Sequence, residues 1–427
     1  TPVFHAMGRD AAFWCLSIGT TVFSIGCGAA EGAINPMVAA LYPGHRTGRL
    51  NALHAGFPGG LVLGALFGVL LQGMRWEAIL LTYLVPTVLY GVMILGQTFP
   101  HSQARIHHIP MKAMAREFAS PVLIALLVLM AMVGFVELGT DSWIANITGN
   151  LLADPKKGLY LFIWTSMLMF VLRFCAGPIL HRISPLGLLF CASCLGGTGL
   201  LLLSHAGAGF SIGGAVVAAT IAATIYGSGK TFYWGTMLGV TAERFPRGGA
   251  LVLGAIGCVG NLSAGFLGGP AIGFMQDRFA SSDLRHVSPA AYDRYRSDRE
   301  NSFLLVFHAQ GLDSSKVAVL DDNGAQFKKD LTALGRAHRY DANLVRLEKW
   351  WESAAPLAAQ DRLPVSRAEL HGSRMALRCT ALIPVGMAIG FLLLILYFKS
   401  TGGYRQVHLQ PEQAEALGHA VGVGDDA

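Results

Sequence analysis

Four ionisable side chains stand inside stretches that are otherwise apolar: Glu31, Glu137, Asp141 and Lys230. At the centre of a bilayer such a charge costs between about 2.5 and more than 10 kcal/mol. A group kept there therefore faces protein or water and serves a proton, an ion, a polar ligand or an opposite charge. Lys230 invites a second reading, because it lies in "TIYGSGKTFYWGTM" (224–237), whose GSGKT resembles the end of a phosphate-cradling loop. That loop needs a glycine five residues before Gly229, where the chain has Thr224. The preceding "FSIGGAVVAATIAA" also lacks the strand, turn and helix that the loop requires. The expectation is a lysine deep in an apolar helix, with small neighbours that allow close packing.

The composition sets the stage for these charges. Of 427 residues 53% are hydrophobic and 14% charged, against about 25% charged in ordinary soluble domains. Mean hydropathy is +0.48. A polytopic protein of the lipid bilayer is implied. The formal charge of +6 is spread over loops with no basic block, so no nucleic acid partner is expected. The seven cysteines fall in apolar stretches without metal-ligand spacing and read as small hydrophobes. Neither a metal nor another cofactor is expected.

With a ruler of about 20 apolar residues per span, the chain shows nine candidates: 11–41, 51–74, 77–98, 121–147, 158–181, 185–204, 210–241, 249–274 and 376–398. The fold class is all-α, a membrane helix bundle. Residues 278–374 differ, holding 13 of the 26 acidic and 15 of the 32 basic residues. They read as a small soluble, partly helical insert, with "SFLLVF" (302–307) as a strand and helical spacing of apolar residues over 327–351. The divisions expected are 1–98 for three helices, 99–120 for a central loop, 121–277 for five helices, the insert at 278–374, a last helix at 375–398 and a tail at 399–427.

Short loops fix an orientation. "YPGHRTGR", "ARIHHIPMKAMAR", the pair 181–182, "ERFPRGG" and "KSTGGYR" carry ten Lys and Arg, against four on the other side. The basic side is expected to be cytoplasmic, which puts the insert outside. The passage "NPMVAALYPGHRTGRLNALHAG" (35–56) is echoed by "GTMLGVTAERFPRGGALVLGAIG" (235–257), which implies two related halves. With three helices in the first half and six in the second, three further helices are expected upstream of Thr1. In that repeat Glu31 precedes Met37 by six residues and Lys230 precedes Met237 by seven, so the two charges are expected to face one another across a central cavity. Glu31 lies ten residues before Leu41, about 15 Å along a helix and close to mid-membrane.

Several segments resemble the major facilitator superfamily, a twelve-helix fold with a long central cytoplasmic loop. "RFCAGPILHRISP" (173–185) resembles its short cytoplasmic signature, with Gly177 and Arg182 in place and His181 where an acidic residue is usual. "EGAINPMVAAL", "RLNALHAGFPGG" and "GFVELGTDSW" (134–143) look like the fucose and glucose/galactose proton symporters. The resemblance makes Glu31 the candidate proton-binding carboxylate and puts Asn35 beside the cavity. His54 replaces a glutamine there and Phe57 an asparagine, so sugar contacts on that helix are altered.

Each residue also has a plainer reading. Lys230 would neutralise Glu31 or Glu137 as a structural ion pair, or serve solute or proton linkage. Glu137 and Asp141 are four apart on one helix face, with Asp141 expected at the outer interface. Arg173 is read as a packing or gating residue near the cytoplasmic end, and Arg182 as a gating residue. Trp143, Tyr233 and Trp234 would stack on a sugar ring or simply pack. Asn146 and Asn261 would be pore-lining polar groups. The reading as a whole is a monomeric secondary transporter in the cell (plasma or inner) membrane, moving a small polar solute, a sugar, with protons by alternating access. An organic or inorganic anion symporter is the alternative, favoured if Lys230 is unpaired; a transport-inactive sensor using the insert is the alternative of another class.

Overall fold

The computed structural model describes residues 9–407 apart from 72, 100–105, 107, 207–211 and 337–340. The remainder of the expected tail and part of the expected central loop lie outside the described residues. The first helices are α1 (Arg9–Leu41), α2 (Arg46–His54), α3 (Gly56–Leu70), α4 (Trp76–Leu81) and α5 (Leu84–Ile94). After α6 (Met111–Arg116) come α7 (Pro121–Gly134), α8 (Ile144–Leu152), α9 (Pro155–Phe174), α10 (Ala176–Leu180), α11 (Pro185–His205), α12 (Ile212–Lys230), α13 (Tyr233–Arg244) and α14 (Gly249–Leu262). Then follow α15 (Gly269–Val287), α16 (Pro289–Tyr295), α17 (Ser314–Asp321), α18 (Ala325–Arg336), α19 (Ala342–Ala354) and α20 (Ala358–Ser400).

Several helix starts are written in the chain as a polar residue followed by proline. Asp154 accepts a hydrogen bond from the Lys156 amide at 2.9 Å ahead of α9, and Ser184 accepts one from the Gly187 amide at 3.1 Å ahead of α11. In both, proline takes the first helical position, where its missing N–H costs nothing.

Among the described residues eight helical stretches are long and apolar enough to cross a membrane, where nine spans were expected. The one not among them is 210–241, whose first two residues lie outside those described and whose remainder is divided into α12 and α13 at Thr231 and Phe232. No proline marks the break; it is stabilised by side chains described below. The span expected at 376–398 is the end of a 43-residue helix, α20.

The two halves meet crosswise. α2 packs on α13 and α1 on α14. In the sequence repeat α1 corresponds to α13, and α2 with α3 to α14. A two-fold exchange therefore turns the first contact into the second, which agrees with two related halves. α2 and α13 lie so close that a Cβ on Gly239 would fall 2.5 Å from the Thr47 Cα. Within the second half, α7 continues into a π-helical turn, Phe135–Gly139, and α14 into another, Ser263–Gly268. These cross at glycines: a Cβ on Gly134 would stand 2.0 Å from the Gly260 carbonyl oxygen.

The insert has its own core, in which Leu284, Tyr292, Tyr295, Leu320, Phe327, Trp351 and Val365 are buried together. Its expected edges fall inside helices, because α15 runs past 277 and α20 begins before 375 without a break. "SFLLVF" is not one strand. Strands β1 (Asn301–Phe303) and β2 (Phe307–Ala309) pair antiparallel, and Leu304–Val306 form the turn.

Candidate functional site

Glu31, Ile34, Asn35, Leu53, His54, Phe57, Glu137, Leu138, Arg173, Trp234 and Asn261 line a cavity of about 290 Å³ between the halves. A second cavity of about 650 Å³ shares Glu31, Asn35 and Asn261 and runs between α1 and α14 as far as Phe23 and Phe266, away from the basic loops. On the basic-loop side the halves are closed. Thr47 donates to the Glu243 carboxylate at 2.5 Å, Arg46 to the Ala242 carbonyl at 2.9 Å, and Asn51 to the Thr236 hydroxyl at 3.0 Å. The chain after α20 crosses this closure: the Tyr404 hydroxyl donates to Glu243 at 2.7 Å and the Val407 amide to the Glu243 carbonyl at 2.9 Å.

The broken helix builds one wall. Ending α12 at Lys230 frees the Thr231 carbonyl and the first amides of α13, which a low-dielectric site must satisfy. Arg173 donates to the Thr231 carbonyl at 3.0 Å, and the Trp234 amide donates to Glu137 at 3.2 Å. Glu137 thus caps the N-terminus of α13, where the helix dipole favours a negative charge. Its other oxygen pairs with Arg173 at 2.6 Å, with both side chains 1% exposed. Arg173 also donates to the His54 carbonyl and so ties the second half to the first. It belongs to the centre of the site, a correction to its expected place near the cytoplasmic end: α10 carries the polypeptide on beyond α9.

Lys230 does not face Glu31 across the cavity, nor does it pair with Glu31 or Glu137. Its ammonium is fully buried against Asp141 and lies 5.3 Å from the centre of the Tyr226 ring. Asp141 is itself nearly enclosed by protein; its side chain is 8% exposed. The glycine before Lys230 explains the GSGKT stretch, since a Cβ on Gly229 would lie 2.5 Å from the Gly196 amide nitrogen of α11. Small residues let α12 approach α11 and carry the lysine into the core.

Glu31 is held differently. Its carboxylate accepts from the Trp234 indole N–H at 3.1 Å and from the Asn261 amide at 3.5 Å, and no cation lies within ion-pair range of it among the described residues. Trp234 therefore touches both carboxylates, Glu137 through its backbone and Glu31 through its ring. The His54 imidazole and the Asn35 carbonyl oxygen meet at 2.9 Å nearby.

The remaining expected residues lie elsewhere. The Trp143 indole donates to the Gly269 carbonyl at 2.8 Å and its ring packs on Gly273. Asn146 accepts from Gln276 at 3.0 Å. The buried Tyr233 hydroxyl donates to the Ala192 carbonyl at 3.1 Å. None of the three lines the central cavity, because each faces a neighbouring helix of the second half. Arg182 is exposed beside His181, whose ring meets His45 edge-on at 6.1 Å. The Glu243 closure was not anticipated, although "ERFPRGG" had placed an acidic residue beside the arginines of that loop.

The site can bind a small polar molecule, with one aromatic wall, neutral amide and imidazole groups, a neutralised ion pair and a single uncompensated carboxylate. No curated protein and no solved structure matches the chain. The family description Major Facilitator Superfamily matches residues 3–269, more than half of the sequence. With its all-α bundle of apolar helices, the chain belongs to that superfamily of multi-pass membrane secondary transporters, which bind small-molecule solutes.

Proposed function

We propose that the chain moves a small neutral polar solute, a sugar, together with a proton, and that Glu31 carries the proton. The observation behind this reading is the difference in partners among the charges at the centre. Glu137 and Asp141 each have a cation at hydrogen-bonding distance, whereas Glu31 has only neutral donors. Protonating Glu31 would leave the site without net charge, and a site without net charge can be reoriented across lipid at far lower cost. The cavity sits near the lower end of the ~300–1,000 Å³ range of small-molecule sites. Trp234 and Phe57 offer ring faces, and Asn35, His54 and Asn261 offer hydrogen bonds. The two halves would rock about this site, opening the Glu243 closure as the opposite side shuts. The anion-symport reading loses the feature that favoured it, since Lys230 is paired.

In this reading the protein acts as a monomer in the cell membrane, with residues 278–374 facing outward. The test is proteoliposomes of the full chain containing a pH dye. D-glucose, D-galactose and L-fucose should drive inward proton movement, while lactate and phosphate should not. Solute uptake without proton movement would reject the coupling, and a response to the anions alone would reject the substrate class.

A further inference from the structure

The hairpin of the insert ends in three apolar residues that are exposed among the described residues. Leu304, Leu305 and Val306 are 54%, 87% and 72% exposed. Leu304 and Leu305 hold the turn at φ of 53° and 59°, a region where glycine or asparagine is far more usual. An ordinary surface turn has no use for leucines here. Their surroundings supply one.

The hairpin lies against α15 and its direction can be read from three contacts. At its base Asn301 donates to Asp277 at 3.0 Å, and a Cβ on Gly311 would also meet Asp277. Nearer the tip Phe303 stacks on Phe274, with ring centroids 5.9 Å apart, and Phe307 stacks on Phe303 at 6.3 Å. Going from base to tip therefore means going from Asp277 back to Phe274 along α15, about one helical turn towards the apolar segment. The chemistry of α15 changes at this level: Gln276, Asp277 and Arg278 follow an apolar run that ends near Met275. The hairpin hangs from the polar end of the helix, and its tip continues past Phe274 along the membrane-spanning part.

We infer that Leu304–Val306 form an anchor that inserts into the adjacent leaflet of the bilayer, beside α15, and fixes the insert against the membrane surface. The occupant is acyl chain, because the tip runs alongside a helix that belongs to a stretch long and apolar enough to cross a membrane. The aromatic pair Phe303 and Phe307 sits at the boundary, where aromatic rings commonly settle. This needs only that α15 spans the membrane and is independent of which solute or ion is carried.

A benzophenone amino acid in place of Leu305, in the otherwise unchanged full chain reconstituted in phosphatidylcholine vesicles, tests it. On irradiation the expected product is a phospholipid adduct, severalfold more abundant than with the same group in place of the exposed Ser315 on the insert. A crosslink to a second copy, a crosslink within the chain, or equal and low lipid adducts at both positions would each overturn the anchor. Leu305→Asn keeps a residue that tolerates the turn. The anchor requires this variant to retain its helical circular dichroism and yet release the insert, seen as faster amide exchange over 301–309; unchanged exchange overturns it.

Discussion

Glu31 and Glu137 line one cavity and share a neighbour, Trp234, yet their partners differ in charge. Glu137 comes from the π turn after α7 with an arginine at 2.6 Å and a helix N-terminus at its back. Glu31 comes from α1 with an indole and an amide. The first arrangement pairs a buried carboxylate with a cation and holds a broken helix in place. The second offers its carboxylate hydrogen bonds from neutral donors and no opposite charge among the described residues. In the function proposed above, neighbouring carboxylates divide into frame and cargo handling by the charge of their partners.

Breaking the frame should give the largest effect. Arg173→Met strands the Glu137 carboxylate and frees the Thr231 and His54 carbonyls, and loss of one partner of a buried pair costs about 3–5 kcal/mol. The variant should lose most of its folded fraction in detergent, read by thermal denaturation. Arg173→Met with Glu137→Leu should recover part of that loss, because no buried charge is left. A single variant as stable as the parent would erase the contrast between the two carboxylates.

Lys230→Met probes the second pair, on the same scale but without freeing backbone groups, so its loss should fall at the lower end of about 3–5 kcal/mol. Lys230→Met with Asp141→Asn should regain stability and retain solute binding, since neither residue lines the cavity. Failure of the double variant to bind solute, while folded, would move this pair from frame to site.

Glu31→Gln should change stability by about 1 kcal/mol, because the amide oxygen can keep the Trp234 hydrogen bond and only the long contact with Asn261, 3.5 Å, is given up. Its effect is on coupling: solute should still bind and exchange across the membrane, while accumulation against a gradient driven by protons disappears. A Glu31→Gln protein that still accumulates solute with the proton gradient excludes Glu31 as the carrier.

The apolar helices and the place of Glu31 on a cavity were legible because they rest on apolar runs, glycines and spacing along one chain. Asn35, His54, Trp234 and Asn261 also came from short segments that the fold brings to one cavity. Partner choice was not legible. Glu137 and Arg173 are 36 residues apart and Lys230 and Asp141 are 89 apart, and only helix packing decides which cation meets which anion. The break at Thr231 was hidden for the same reason, since Glu137 and Arg173 stabilise it from other helices. "SFLLVF" misled because it is a short continuous apolar run with β-forming Phe and Val, and nothing local announces leucines at positive φ.

A third carboxylate, Glu243, extends the comparison and gives the smallest predicted effect. It lies in the closure on the basic-loop side, accepting from the Thr47 and Tyr404 hydroxyls. Burial and the adjoining Glu243 carboxylate push the Tyr404 phenol well above its ordinary range, so it stays protonated and donates. Like Glu31, Glu243 accepts from neutral donors; unlike Glu31, it also feels the charge of the buried Arg46 and borders the contact that the proposed rocking would part. Tyr404→Phe removes one donor and keeps the ring that packs edge-on against Phe398, with centroids 5.6 Å apart. A hydrogen bond to a charged group is worth roughly 1.5–3 kcal/mol. Thr47 still serves Glu243 in the variant, so about 1 kcal/mol is expected, which corresponds to roughly a fivefold rise in the opened population. Amide exchange over residues 42–48 should quicken by about that factor, with no change over α11, whose contacts do not involve the tail. Unchanged exchange at 42–48 would mean that the tail merely lies on the closure, and that Thr47 and Arg46 hold the halves together unaided.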